Sequence, residues 1–244
     1  MSLHKDQAII LSTRAFGESD KIIRFFTLSS GKLSGIAKGA KKSQKRFMNT
    51  LEQFNRVQIE YFEKPTAGLV RIENADIEEH NAGIETTLKR VCIASYFSEF
   101  VDRLTREKER NEPLFHTLES VLNRIKHVEF TASDILYYEL LMLGHLGYMP
   151  NFRSCVVCGS EMPENDKVCY SRERGGTLCL HCARGVPHRK YPPGLFTQLA
   201  CFDRAQTGLN KAFDQLGRQV LEDFISFHLS VEFKSLRILK SITG

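Results

Sequence analysis

The apolar positions of the first eighty residues recur with the period of strands. Ala8-Ile9-Ile10-Leu11 and Ile22-Ile23-Arg24-Phe25-Phe26 are short apolar runs, and Leu28-Ser-Ser-Gly31-Lys32 ahead of Leu33 reads as a hairpin turn. Val57, Ile59 and Tyr61 alternate with polar neighbours, as a half-buried strand requires. Pro65-Thr-Ala-Gly68 is a further turn, and Leu69-Val70-Arg71-Ile72 a fifth strand. Five short strands in about seventy residues predict a small barrel of the OB type.

After Asn81-Ala-Gly83 the period becomes helical. Ile84, Leu88, Val91, Cys92, Ser95, Phe100, Val101 and Leu104 follow i, i+3, i+4 spacing, which makes Cys92 a small core residue. Asn111-Glu-Pro113 opens a second helix with Leu114, Leu118, Val121, Leu122 and Ile125 on one face. Ser133 is the expected cap of a third, which packs Ile135, Leu136, Leu140 and Leu143 and ends at Gly147 and Pro150. Tyr191-Pro-Pro193-Gly194 leads into a fourth with Leu195, Leu199 and Phe202. A last helix carries Phe213, Leu216, Val220, Leu221, Phe224 and Phe227. The pattern leaves Phe233-Lys234-Ser235-Leu236-Arg237 open between strand, docking strip and tail. The expected fold is α+β: an OB barrel over 1–80 and a helical domain over 81–244, with an insertion at about 151–190.

That insertion holds Cys155-Val-Val-Cys158 and Cys179-Leu-His-Cys182. Two such pairs at this separation close one tetrahedral four-sulfur site, the pattern of structural zinc. Gly159 allows a tight turn that aims backbone N–H groups at the sulfurs, and Gly175-Gly176 supplies a hairpin tip. Four thiolates saturate the metal and leave no position for water, so one zinc ion should hold structure and not catalyse. Independent redox pairs are disfavoured because such motifs follow a strand in a βαβ unit. Cys169, His181 and His188 rank below the four cysteines as ligands. His145 and His228, on largely apolar helices, are assigned no role.

A chain of 244 residues should bury about 70% of its extended surface. An odd count of seven cysteines argues against a disulfide framework and for a reducing compartment. The opening Met1-Ser-Leu-His-Lys5-Asp6 has charges where a signal peptide needs an apolar core, and the run Leu136 to Met149 contains Glu139 and is too short to span a bilayer. A cytosolic protein without membrane contact is expected. No G-x-x-x-x-G-K-[ST], H-E-x-x-H, G-x-S-x-G or dinucleotide fingerprint is present, so an enzyme is not expected. Scattered carboxylates leave a metal-dependent nuclease open as an alternative, with nothing in their spacing to single one out.

Net charge is +5, which permits a polyanionic partner without demanding one, so distribution decides. Lys32, Lys38, Lys41, Lys42, Lys45 and Arg46 fall in one short stretch free of acids, among Gly31, Gly35 and Gly39. A solvated loop is the ordinary meaning of a charge run. Placed on a barrel with Arg14 and Arg24 on nearby strands, it points to phosphate binding, and six phosphate contacts to a single strand would give a log–log salt slope of about −4. Phe16, Phe25, Phe26 and Phe47 are candidates to stack bases. Most should be core, since Phe25 and Phe26 point to opposite faces of one strand.

The order of parts resembles the recombination mediator family RecO. The resemblance rests on Ala8-Ile-Ile-Leu11-Ser-Thr-Arg14-Ala-Phe16-Gly-Glu18-Ser19-Asp20, on Phe25-Phe26-Thr27 leading to Gly31-Lys32, on Ile36-Ala37-Lys38-Gly39-Ala40-Lys41-Lys42, and on Lys234-Ser235-Leu236. It implies an OB domain that binds single- and double-stranded DNA and a protein that anneals complementary strands. It also implies partnership with RecR and with the tail of the single-strand-binding protein SSB, so that RecA is loaded onto coated DNA. The DNA-binding role then falls on Arg14, Arg24, Lys38, Lys41, Lys42, Lys45 and Arg46. A zinc-stabilised adaptor that joins proteins without touching DNA is the competing expectation.

Overall fold

The computed structural model describes residues 2–43, 46–63, 68–201 and 211–243; Lys45, Pro65 to Ala67 and Phe202 lie outside them. Five strands, β1 (Ser2–Phe16), β2 (Asp20–Thr27), β3 (Gly31–Ala37), β4 (Arg56–Glu63) and β5 (Val70–Glu79), close a barrel in the order β1-β2-β3-β5-β4. All neighbours are antiparallel except β3 and β5, which run parallel. This is the OB arrangement expected from the sequence. β1 is longer than its apolar run because its polar first half pairs with β4 from Ser2 opposite Glu63 to Ile9 opposite Arg56. An irregularity between Ile10 and Ser12 lets the same strand turn onto β2. Ala8, Ile10, Ile23, Phe25, Leu33, Val57, Ile59, Tyr61 and Ile72 fill the interior.

By proximity the chain divides into two compact units, residues 1–129 with 233–244, and 130–232. The first keeps α1 (Leu88–Leu104), α2 (Glu112–His127) and α6 (Lys234–Thr243) with the barrel. Asn111 caps α2 through Leu114 N–H at 3.0 Å, as its Asn-x-Pro start predicts. The undecided segment at 233–237 is the start of α6. Glu99 of α1 accepts from the backbone N–H groups of Lys234 and Ser235 at 3.1 and 2.9 Å and from the Ser235 hydroxyl at 2.5 Å. A carboxylate at a helix N-terminus satisfies free donors and complements the dipole. Phe233 stacks on Phe100, with ring centres 5.4 Å apart.

The second unit contains α3 (Ala132–His145), a small sheet of β6 (Val168–Ser171), β7 (Gly176–Leu178) and β8 (Arg189–Tyr191) ordered β7-β6-β8, then α4 (Leu195–Cys201) and α5 (Lys211–Phe224). The cap of α3 is Thr131, not Ser133: Thr131 and Asp134 form a reciprocal capping box, while Ser133 donates to Asp214 of α5 at 2.6 Å. Glu139, fully buried on α3, lies 3.4 Å from Arg218 of α5, which explains a carboxylate within an apolar run. α5 passes into a π-helical turn, Ile225–Leu229. That turn puts Phe227, expected inside, half in solvent under the Arg172 guanidinium.

Candidate nucleic-acid interface and metal centre

Cross-strand register decides which barrel cations share a face, because residues directly opposite one another point the same way. Arg14 of β1 stands opposite Ile22 of β2, Ile22 opposite Ile36 of β3, and Ile36 beside Arg71 of β5. One outer row therefore carries an arginine at each end. The next row, Ser12, Arg24 and Ser34, lies on the same outer face, two residues along each strand. A further step reaches Phe26 and Lys32, where the connection between α1 and α2 covers the sheet. Phe26 packs on Phe115 with ring centres 6.2 Å apart. Lys32 donates to the carbonyls of Asp102 and Thr105, the latter at 2.6 Å. Ser34 donates to Glu107 at 3.1 Å. Gly31, at φ +72°, has no room for a Cβ, which would overlap the Glu109 backbone.

Half of the outer β2–β3 face is thus occupied by the protein's own chain. Lys32, counted in the basic run, is a strut inside the first unit, and burial pushes its pKa down. Arg24 sits at the border, 2.7 Å from the Asp102 carboxylate.

At the other end of this face the turn between β1 and β2 meets the loop that follows β3. Beyond Ala37, paired with Lys21, the chain turns at Gly39 (φ +69°). The Gly39 N–H donates to Asp20 Oδ1 at 2.9 Å, Lys41 N–H to the Ser19 carbonyl at 2.9 Å, and Lys41 Nζ to the Gly17 carbonyl at 2.6 Å. These bonds bring Lys38, Lys41 and Lys42, all exposed, beside the Phe16–Asp20 turn that follows Arg14. The Gly39 and Ser19 hydrogen bonds, with Lys38 and Lys41 nearby, hold the Asp20 carboxyl below its ordinary value.

Among the described residues no carboxylate lies within ion-pairing distance of Arg14, Lys38, Lys41 or Lys42. Arg46, also exposed, reaches the Lys38 carbonyl at 3.4 Å and shares Glu73 with Arg71. Lys45 lies outside the described residues. Of the four phenylalanines, Phe25, Phe26 and Phe47 are buried, and Phe16 is 50% exposed. Arg71 was missed in the sequence because only the parallel β3–β5 pairing brings it into line with Arg14.

In the second unit the sulfurs of Cys155, Cys158, Cys179 and Cys182 lie within 4.8 Å of one another. With Zn–S bonds of about 2.3 Å, the sulfurs of a tetrahedral site stand about 3.8 Å apart. Cys158 and Cys179 are 3.8 Å apart, so the donor set fits the metal that the spacing predicts. Gly159, at φ +75°, makes the tight turn, yet its N–H donates to the Cys155 carbonyl and not to sulfur. Ser160 takes that part, its hydroxyl 3.2 Å from Cys158 Sγ, and Cys182 N–H donates to Cys179 Sγ at 3.4 Å.

Burial opposes ionisation of Cys155, but backbone donors at Cys158, Cys179 and Val157 overcome it and hold the thiol at about 6. Cys182, crowded by the Cys179 sulfur, is pushed up to about 12. A cluster of thiols loses its first protons readily and its last only when a cation compensates. Cys169, His181 and His188 are not in the cluster: Cys169 is buried in β6, and His188 Nδ1 pairs with the Val186 carbonyl at 2.8 Å. No helix among the described residues is long and apolar enough to cross a membrane.

A closed OB barrel with exposed cations at one end thus precedes helices and a cluster of four thiols that could hold a metal ion. Residues 1–80 match the family model described as Recombination protein O N terminal, and residues 85–237 the one described as Recombination protein O C terminal. The chain is 33% identical over 246 residues to the DNA repair protein RecO of Myxococcus xanthus, covering 99% of each chain. It is 32% identical over 246 residues to that of Geobacter metallireducens, again 99% of each. Against the Syntrophobacter fumaroxidans protein it is 35% identical over 179 residues, 73% of this chain and 71% of the relative. The chain belongs to the RecO family of DNA repair proteins.

Proposed function

We propose that this protein is a recombination mediator that binds single- and double-stranded DNA through the end of its barrel and anneals complementary strands. The observation that carries the reading is the meeting of the Lys38–Lys42 loop with the β1–β2 turn, which gathers Arg14, Lys38, Lys41 and Lys42 with no carboxylate among the described residues within ion-pairing distance. Two DNA strands repel as polyanions. A cationic face that holds one strand by its phosphates lowers that repulsion and leaves the bases free to pair. No bond is made or broken, so the protein needs no nucleotide and no catalytic side chain. Arg24, Arg46 and Lys45 are assigned the outer contacts, the first two exchanging carboxylate partners for phosphate. Phe16, exposed next to these cations, is the stacking platform for an unpaired base.

The division of labour follows the barrel at 1–80 and the helical body at 81–244. The body, with its insertion at about 151–190, is assigned to partners: RecR, the SSB tail and, through them, RecA. One zinc ion on Cys155, Cys158, Cys179 and Cys182 staples the insertion and takes no part in annealing. The bacterial cytoplasm, where thiols stay reduced, is the assigned location, in keeping with seven free cysteines. Fluorescence anisotropy with a labelled single strand tests the reading. A salt-sensitive response at micromolar or lower protein supports it, silence supports a protein adaptor, and degradation of the strand with magnesium supports a nuclease.

A further inference from the structure

Asp20 is out of place if charge alone organises the barrel end: it sets a carboxylate among the cations assigned to phosphate. Its geometry gives it a different task. Asp20 pairs with Phe16 at the close of the β1–β2 hairpin, so its backbone is fixed by the barrel. Its Oδ1 accepts from Ser19 Oγ at 2.8 Å and from Gly39 N–H at 2.9 Å. Gly39 is the residue at which the chain leaves β3 and turns back, at a φ of +69°. Once Gly39 is held, Lys41 N–H reaches the Ser19 carbonyl and Lys41 Nζ the Gly17 carbonyl. The ordered end of the barrel supplies the anchor, and the basic loop is what it fastens.

We propose that Asp20 is a positioning residue for the polyanion site: its carboxylate latches Gly39 and thereby holds Lys38, Lys41 and Lys42 against the β1–β2 turn, beside Arg14 and Phe16. The inference rests on the DNA-binding reading above and adds to it a residue whose own charge is of the wrong sign for DNA. Latch and charge make opposite predictions. If Asp20 acts only as a negative charge, any neutral replacement tightens DNA binding. If it acts as a latch, the outcome depends on whether the replacement keeps an acceptor.

The test compares Asp20→Asn and Asp20→Ala with the wild-type full-length protein in anisotropy titrations of a labelled single strand at several salt concentrations. D20N keeps an oxygen for the Gly39 N–H and loses the charge, so it should bind at least as tightly as wild type with the same salt slope. D20A loses both and should bind about five- to tenfold more weakly than D20N, with a log–log slope smaller in magnitude by about one, the mark of a phosphate contact no longer formed. A purely global loss of stability would not change the slope of the folded fraction, and amide exchange at Gly39 should be fast in D20A and protected in D20N. Equal affinity and slope in the two variants overturn the latch while leaving the DNA-binding reading intact. Absence of any wild-type binding overturns that reading and the latch with it.

Discussion

Lys32 Nζ donates to the Thr105 carbonyl at 2.6 Å and stands 3.7 Å from the Asp102 carboxylate, within the first unit. A lysine in the middle of the basic stretch is therefore a structural strut, with only 12% of its side chain exposed. Replacing it by methionine keeps the volume, leaves the Asp102 and Thr105 carbonyls without this donor and the Asp102 carboxylate paired with Arg24, a loss of about 1–3 kcal/mol. K32M should melt at lower temperature than wild type while its folded form binds DNA with unchanged affinity. Thermal melting beside a DNA titration below the melting range checks both.

Phe16 is expected to sense unpaired bases. A stacked base contributes about 1–3 kcal/mol, so Phe16→Ala should weaken single-strand binding at least about fivefold. Duplex binding, where the bases are already stacked, should change far less, and Phe16→Trp should restore the single-strand affinity. Parallel titrations with one labelled oligonucleotide, alone and annealed, separate these outcomes.

The four-thiol site should hold one zinc per chain, and Cys179→Ser, which removes one of four ligands, should lose most of it. Structural zinc contributes on the order of 10 kcal/mol to the fold around it. The variant should therefore expose the second unit to proteolysis while the barrel keeps its affinity for DNA. Metal analysis, limited proteolysis and a DNA titration on the same preparation check the three parts. Loss of DNA binding along with the metal would contradict the assignment of zinc to structure alone.

Among the described residues of the first unit four carboxylates are held below their ordinary values, Glu129 by the hydrogen bond it accepts from Lys89. Asp20 is lowered by its Gly39 and Ser19 hydrogen bonds, and Glu63 by Lys108. Burial would raise Glu79, but Lys126 and Asn123 outweigh it. A folded-state value below the unfolded one stabilises the fold above the ordinary values, 3.8 for Asp and 4.5 for Glu, and that contribution is lost as pH falls through the lowered ones. The melting temperature should be nearly level from pH 7 to about 5.5 on account of these groups and fall from about 4.5 downward. Glu63→Gln should flatten part of that fall.

Periodicity made the barrel legible because alternation in β4 reports directly which face is buried and the apolar runs in β1 and β2 mark buried strands, and the two cysteine pairs were legible because metal geometry restricts their spacing. What stayed hidden depends on partners far along the chain. Lys32 and Lys38 look alike in a charge run, and only the docking of Asp102 and Thr105 separates them. Ser133 and Thr131 are both good caps, and Asp214 on α5 draws Ser133 away. The alternating Phe233–Arg237 segment becomes a helix start because Glu99 supplies acceptors that local pattern cannot reveal. The resemblance to RecO was carried partly by Gly31-Lys32 and Lys234-Ser235, residues that the structure assigns to packing and capping within the first unit.

Cations at one end of the barrel are assigned to hold DNA by its phosphates, and reversing their charge should abolish that grip. In a single-strand titration from 50 to 200 mM salt, about four phosphate contacts give the wild type a log–log slope of about −3. The double variant K38E/K41E should bind at least about a hundredfold more weakly, with a slope smaller in magnitude by about 1.5, and should no longer anneal complementary strands. Wild-type affinity, slope and annealing in that variant would contradict the account.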